Sequence, residues 1–280
     1  MGMITTVDQP APWRKNQLTP VETATKYGID ATLFARLYLF EPGANPAGGP
    51  YVDASPNLTN GTKYAGVVPT AEGWGLQVLD SAGLAITTGL AWPLSGTAFI
   101  AMRSTTAKNV GHHSYWLHRN GANAGGVTAP TYTTTTPFLN GGVSEESNTH
   151  AIAGGGSVDY PNRKVLHPGE AAPSQQDEVL CFRWNNASGL AELFNLRAYV
   201  SHSAGAGHWS AVNALGPELT FGPRPSVGSG GPGNIYAFAI ATSVLTNVQC
   251  RQTMRAIAKF KADSQGLRVN GYSPGFGLTG

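Results

Sequence analysis

Ile235-Tyr236-Ala237-Phe238-Ala239-Ile240 decides the reading of this chain. All six residues are apolar or aromatic, so a strand here has no face left for water. Leu33-Phe34-Ala35-Arg36-Leu37-Tyr38-Leu39-Phe40 also departs from strict alternation. Strands of this kind are covered on both faces, as two stacked sheets with a central pair of strands would produce. Outward from these two runs lie further β-type segments at 74–79, 84–88, 97–103, 114–118, 179–184, 191–201 and 218–221, separated by Gly, Pro, Asn and Ser. Short strands punctuated by turn residues predict a sandwich or barrel and exclude alternating βα units. Between Val127 and Thr149, a Thr-rich run is followed by Gly141-Gly142, which reads as an excursion of one or two edge strands with exposed loops.

Two segments carry helix signals instead. Thr19-Pro20-Val21-Glu22 combines a capping box with Pro at the first helical position, and Gly28 supplies the stop. Thr246-Asn247-Val248-Gln249 repeats the capping pattern, and Cys250, Met254, Ile257 and Phe260 then recur on one helical face. The spacing predicts a surface helix of about four turns resting on the sandwich. Arg251, Arg255, Lys259 and Lys261 are expected largely off that face, in solvent.

Composition bounds the rest. The 36 glycines and 19 prolines make up about a fifth of 280 residues, below the share at which an aperiodic chain reads as disordered. Charged residues are only 12% and the net charge is +2. That balance predicts no nucleic-acid partner, because counterion release needs excess basic charge. No apolar run is long enough for a membrane span, and the first residues show no secretory pattern, so synthesis in the cytoplasm is expected. Cys181 and Cys250 sit in apolar segments, which suits buried thiols and leaves open whether they meet. The expected organisation is an extended arm over 1–18, one domain over 19–263, and a Gly-rich tail over 264–280. The arm is either a frayed terminus or a docking segment, in which case Trp13, Arg14 and Lys15 are the candidate assembly contacts.

Motifs for chemistry fail in context. The stretch 228–233 satisfies G-x-G-x-x-G but leads into a strand, and Pro232 removes an amide that a phosphate would use. Gly271-Tyr272-Ser273-Pro274-Gly275 has nucleophile-elbow spacing with no acid or histidine after it. His112 and His118 lie ~20 Å apart on an extended strand, and His113 and His118 face opposite sides. Asp159, Asn162 and His167 fall short of the oxygens a calcium ion wants. No metal and no cofactor are therefore predicted. Glu145-Glu146 and Asp177-Glu178 diverge in an extended chain, whereas glycoside hydrolysis needs two carboxyls facing one bond. Trp116, Tyr160 and Trp209 are the candidate glycan contacts, because an exposed ring among polar loops can stack on a sugar.

The second half of the chain resembles the end of a concanavalin A-like lectin/glucanase domain of the laminin-G-like type. The residues that carry this are 179–194 as a pair of strands joined by a polar turn, Leu219-Thr220-Phe221-Gly222, and 233–246 as a closing strand that enters a helix. The resemblance implies an all-β, two-sheet antiparallel jelly-roll sandwich, a fold that hosts lectins, glycosidases and structural modules alike. The E-x-D-x-x-E strand of glycosidases of that fold does not occur here, nor does the carboxylate-rich cation loop of legume-type lectins. A low-charge, Gly/Thr/Ala/Asn-rich β chain with an arm and a tail is also similar to virion proteins of tailed bacteriophages. That likeness implies a non-enzymatic structural protein located in the virion, whose partners are other virion proteins and copies of itself. The alternative is a carbohydrate-binding module or host-receptor binder, its partner a host surface glycan.

Overall fold

In a computed structural model, the chain is described over residues 18–41, 50–63, 67–69, 75–78, 86–91, 93–104, 113–120, 138–144, 147–153, 164–166, 177–197, 199–203, 206, 218–221, 233–265, 269 and 272. Among these, helix α1 (Pro20–Tyr27) comes first. Thr19 caps it reciprocally with Glu22, and Gly28 ends it at φ 72°, a left-handed conformation that glycine adopts without a steric penalty. A single 3-10 turn (Ala31–Leu33) leads into β1 (Arg36–Leu39).

The strands form two antiparallel sheets. The first runs β13 (Tyr199–Ser203), β12 (Leu190–Phe194), β11 (Asp177–Asn185), β6 (Gly96–Ser104), β15 (Gly233–Ala241), β4 (Leu76–Val78) and β3 (Val67–Pro69), with β1 sharing the β4 side of β15. The second runs β10 (Lys164–Leu166), β9 (Ser147–Ala153), β8 (Phe138–Ser144), β7 (His113–Asn120), β14 (Glu218–Phe221), β5 (Ile86–Ala91) and β2 (Thr62–Lys63). The excursion expected between 127 and 149 contributes β8 and β9, which with β10 extend the second sheet to one side. The run expected at 191–201 is not one strand: Asn195 and Arg197 turn the chain, and β12 and β13 pair with each other.

Side chains alternate across the first sheet as a period of two requires. Leu180, Phe182 and Trp184 of β11 join Ala98, Ile100 and Met102 of β6, and with Ile86 and Leu219 of the second sheet they form one core. Val179, Cys181, Phe99 and Ala101 point the other way and meet helix α2 (Asn247–Gln265) through Cys250, Met254, Ile257 and Phe260. The both-face burial of β1 and β15 thus arises from a sheet on one side and helices on the other, rather than from a central pair in two stacked sheets. A register shift in the β15–β6 pairing between Ile235 and Ala237 turns Tyr236 and Ala237 to the same helix-facing side.

Helix α2 starts where the capping box places it, with Thr246 and Gln249 bonded reciprocally, and spans 19 residues, more than the four turns expected. Lys261 corrects the sequence reading. It is fully buried, because it lies four residues after Ile257 on the apolar stripe and not on the basic face. Its ammonium bonds Asp177 and sits 3.7 Å from the centre of the Tyr236 ring. The helix continues through Gln265, and beyond it Val269 bridges Asp177, so the chain after residue 263 remains tied to the domain there. Cys181 and Cys250, both free and buried, meet between β11 and α2. Burial, and then the bond with Cys250, push the Cys181 thiol well up. Cys250 is lowered, chiefly by that bond and further by the Arg183 charge, against the opposing effect of burial.

Candidate functional site

The β12–β13 hairpin lies beside the first half of α2, and a groove of about 420 Å³ opens between them. That volume falls within the ~300–1,000 Å³ of small-molecule sites. Met254 and Phe194 are buried in it, and Asn195, Leu196 and Arg197 supply the turn at one end. Asn247, Arg251 and Arg255 enter from the helix at a spacing of four, which places them in one stripe ~12 Å long. Glu192 and Tyr199 enter from the hairpin.

Tyr199 is held as a platform. It pairs directly across the hairpin from Phe194, with ring centroids 5.0 Å apart. Its hydroxyl donates to Glu192 Oε1 at 3.2 Å, yet the residue remains 55% exposed. Behind it, the Arg183 guanidinium lies 5.0 Å from the Phe194 ring centre, donates from Nε to Glu192 Oε2 at 2.5 Å, and donates from Nη1 to the Leu245 carbonyl at 2.7 Å. Burial pulls the Arg183 guanidinium down, but the bond and charge of Glu192 outweigh it and hold it above its ordinary value. Glu192 is therefore neutralised from behind, while Arg251 and Arg255 are exposed on the groove with no carboxylate partner among the described residues. An exposed ring, two cationic forks and an amide around one concavity can stack a flat ligand and bond its polar edge.

Two other buried carboxylates, Asp177 and Asp53, are structural. Asp177 faces Lys261 inside the protein, with Arg103 at 4.0 Å. Burial pulls Lys261 down to about 7, against the opposing pull of the Asp177 carboxylate. No solvent reaches the Lys261 side chain, so the pair clamps α2 to β11 and offers a ligand nothing. Asp53 accepts bonds from the backbone of Leu37, Ser55 and Thr59 and from the Ser55 hydroxyl, fixing the 51–61 loop against β1. Among the described residues no group of three or more His, Cys, Asp or Glu side chains could hold a metal ion, and no helix is long and apolar enough to cross a membrane.

Trp116 lies on β7 in the second sheet, and its side chain is outside the described residues. Tyr160, Trp209, Trp13, Arg14 and Lys15 also lie outside them, as do the 228–232 stretch and the His112, Asp159, Asn162 and His167 positions. Sequence reasoning misses the groove, since it makes Arg251 and Arg255 a solvated face and puts Tyr199 inside a single strand. The available signal is the turn chemistry of Asn195-Leu196-Arg197, where the Arg197 amide donates to Asn195 Oδ1 at 2.8 Å.

No family model matches the chain, and no curated protein does so by sequence. Solved structures do match in shape. The binding domain of Paraclostridial Mosquitocidal Protein 1 aligns with a TM-score of 0.51 at 10% identity, over 80% of this chain and 52% of that one. The binding domain of botulinum neurotoxin DC, in complex with rat synaptotagmin II, gives 0.50 at 9% identity over 80% and 52%. A botulinum neurotoxin type C structure, whose uptake into cells is described as dependent upon interaction with two ganglioside molecules, gives 0.51 at 9% identity over 84% and 53%. The chain spans about half the length of these structures. At such identities the likeness is one of fold: a mostly antiparallel β domain of the kind found in toxin binding domains.

Proposed function

We propose that the chain is a non-catalytic carbohydrate-binding module, built on a concanavalin A-like jelly roll, that holds a glycan in the groove between β12–β13 and α2. The observation that carries this reading is Tyr199, a half-exposed ring fixed at its hydroxyl by Glu192 and braced by the Phe194 ring at 41° to it, lining a concave surface. Rigid, partly exposed aromatics provide contact area at low entropic cost. The shape-matched structures support the reading as far as their descriptions go: two are binding domains, and a third is described with gangliosides.

Four of the buried carboxylates support a non-catalytic role. Glu192 is spent on Arg183, Asp177 on Lys261, Asp53 on backbone amides and Glu41 on the Thr23 hydroxyl, so among these no two face a shared opening as hydrolysis requires. The comparisons lend no support to assembly within a virion, and most of the terminal segments on which that expectation rests lie outside the described residues.

A glycan array probed with the chain and with Tyr199→Ala tests the proposal. Saturable binding to a subset of glycans is expected, reduced about five- to thirtyfold by the variant while it still folds cooperatively, since losing a stacked ring costs on the order of 1–2 kcal/mol. Equal binding by both proteins would move the site elsewhere, and no binding to any glycan would reject the function.

A further inference from the structure

The groove carries more positive charge than its own structure uses. Its one carboxylate, Glu192, is held by Arg183 from behind and by the Tyr199 hydroxyl from the side. Arg251 and Arg255 are exposed, one turn apart, ~6 Å along the helix axis, and neither meets a carboxylate among the described residues. Asn247, one turn before Arg251, adds an amide that can both donate and accept. We propose that the groove selects sugars bearing a ring-borne anion, a carboxylate or a sulfate ester, with Arg251 and Arg255 binding the anion while the ring lies against Tyr199.

The inference rests on reading the groove as a glycan site and adds the charge class of the ligand. The geometry favours a single anion on a compact ring over a polyanion. The cationic stripe is only ~12 Å long, and the chain as a whole carries a net charge of only +2, too little to follow an extended phosphate backbone. Guanidinium forks match the two oxygens of a carboxylate or two of the three on a sulfate ester, and such charge-assisted bonds are roughly twice as strong as neutral ones. A neutral sugar in the same place would leave both guanidinium groups to water and gain only the stacking and the Asn247 contact.

Calorimetric titration of the full chain with matched methyl glycosides tests this directly: glucuronic acid against glucose, galacturonic acid against galactose, galactose 6-sulfate against galactose, and N-acetylneuraminic acid against its C1 alcohol. In at least one pair the anionic member should bind about tenfold or more tighter, the difference expected of one charge-assisted contact, and the winning pair tells carboxylate from sulfate. Arg251→Gln and Arg255→Gln should each erase most of that advantage, narrowing the ratio of affinities within the pair. Lys259→Gln, an exposed charge on the same helix outside the groove, should leave it intact. Equal affinity for both members of every pair would overturn the charge selectivity and leave the glycan reading standing. The selectivity would also fall if Lys259→Gln weakened binding as much as the arginine variants, because helix charge in general would then be responsible. No binding by any sugar at millimolar concentration would reject the glycan reading together with it.

Discussion

Asp53 shows how much of this fold hangs on single polar groups. Its Oδ1 accepts the Leu37 amide at 2.9 Å and the Ser55 amide at 2.8 Å, and its Oδ2 accepts the Ser55 hydroxyl at 2.8 Å and the Thr59 amide at 3.0 Å. Asn at this position preserves shape but must turn an NH2 group toward donors whichever way it rotates. Asp53→Asn should therefore cost about 2 kcal/mol or more in urea unfolding, against near-neutrality if the loop did not depend on four acceptor contacts. Glu41 gives the molecule a pH dependence. Burial pushes its carboxyl up from 4.5 to about 7, against the Thr23 hydrogen bond and the Lys26 charge. The folded chain then holds a proton that the unfolded chain has released between those values. Its contribution to stability is full below pH 4.5 and lost as pH rises through about 7. Glu41→Gln should remove that loss, stabilising the protein at about pH 8 by up to about 3 kcal/mol and leaving it unchanged at about pH 4. Equal effects at both pH values in denaturant titrations would contradict the assignment.

At the scale of elements, helix α2 does two jobs with two faces. Cys250, Met254, Ile257, Phe260 and Lys261 are buried against the first sheet, while Arg251 and Arg255 stand on the groove. The clamp between Lys261 and Asp177 joins the far half of the helix to β11. Lys261→Met should destabilise the protein by about 3–5 kcal/mol, because it strands a buried carboxylate that keeps, as a cation among the described residues, Arg103 at 4.0 Å. The double variant Lys261→Met/Asp177→Leu should recover most of that loss, and a double variant no more stable than the single one would show that packing, not charge, is responsible. These elements are partly legible in the sequence. The capping residues Thr19 and Thr246 locate both helix starts, and the Cys250–Phe260 periodicity locates the buried face, because both signals are local. Lys261 escapes that reading because its residue type argues for solvent while its position on the stripe argues for burial. A buried ion pair depends on a carboxylate 84 positions away, which no local pattern announces.

Across the whole molecule, the first sheet is the common wall of two cores, one shared with the second sheet and one with the helices. The apolar runs at 33–40, interrupted by Arg36, and at 235–240 carry half of that architecture, showing that both faces are covered without showing what covers them. The groove cannot be read in the same way. Its walls come from residues 192–199 and 247–255, and only the packing of α2 on the sheet makes them neighbours. The aromatics singled out from sequence lie in other segments, around residues 112–132 and 202–210 and at Tyr160, and this divergence supplies the sharpest test. Chemical-shift mapping of the isotopically labelled chain, titrated with a glycan that binds it, measures where the ligand sits. The shifts should concentrate at Tyr199, Asn247, Arg251, Arg255 and the Met254 methyl group. Shifts concentrated instead at Trp116 and Trp209, with Met254 and Tyr199 unmoved, would contradict the groove as the site.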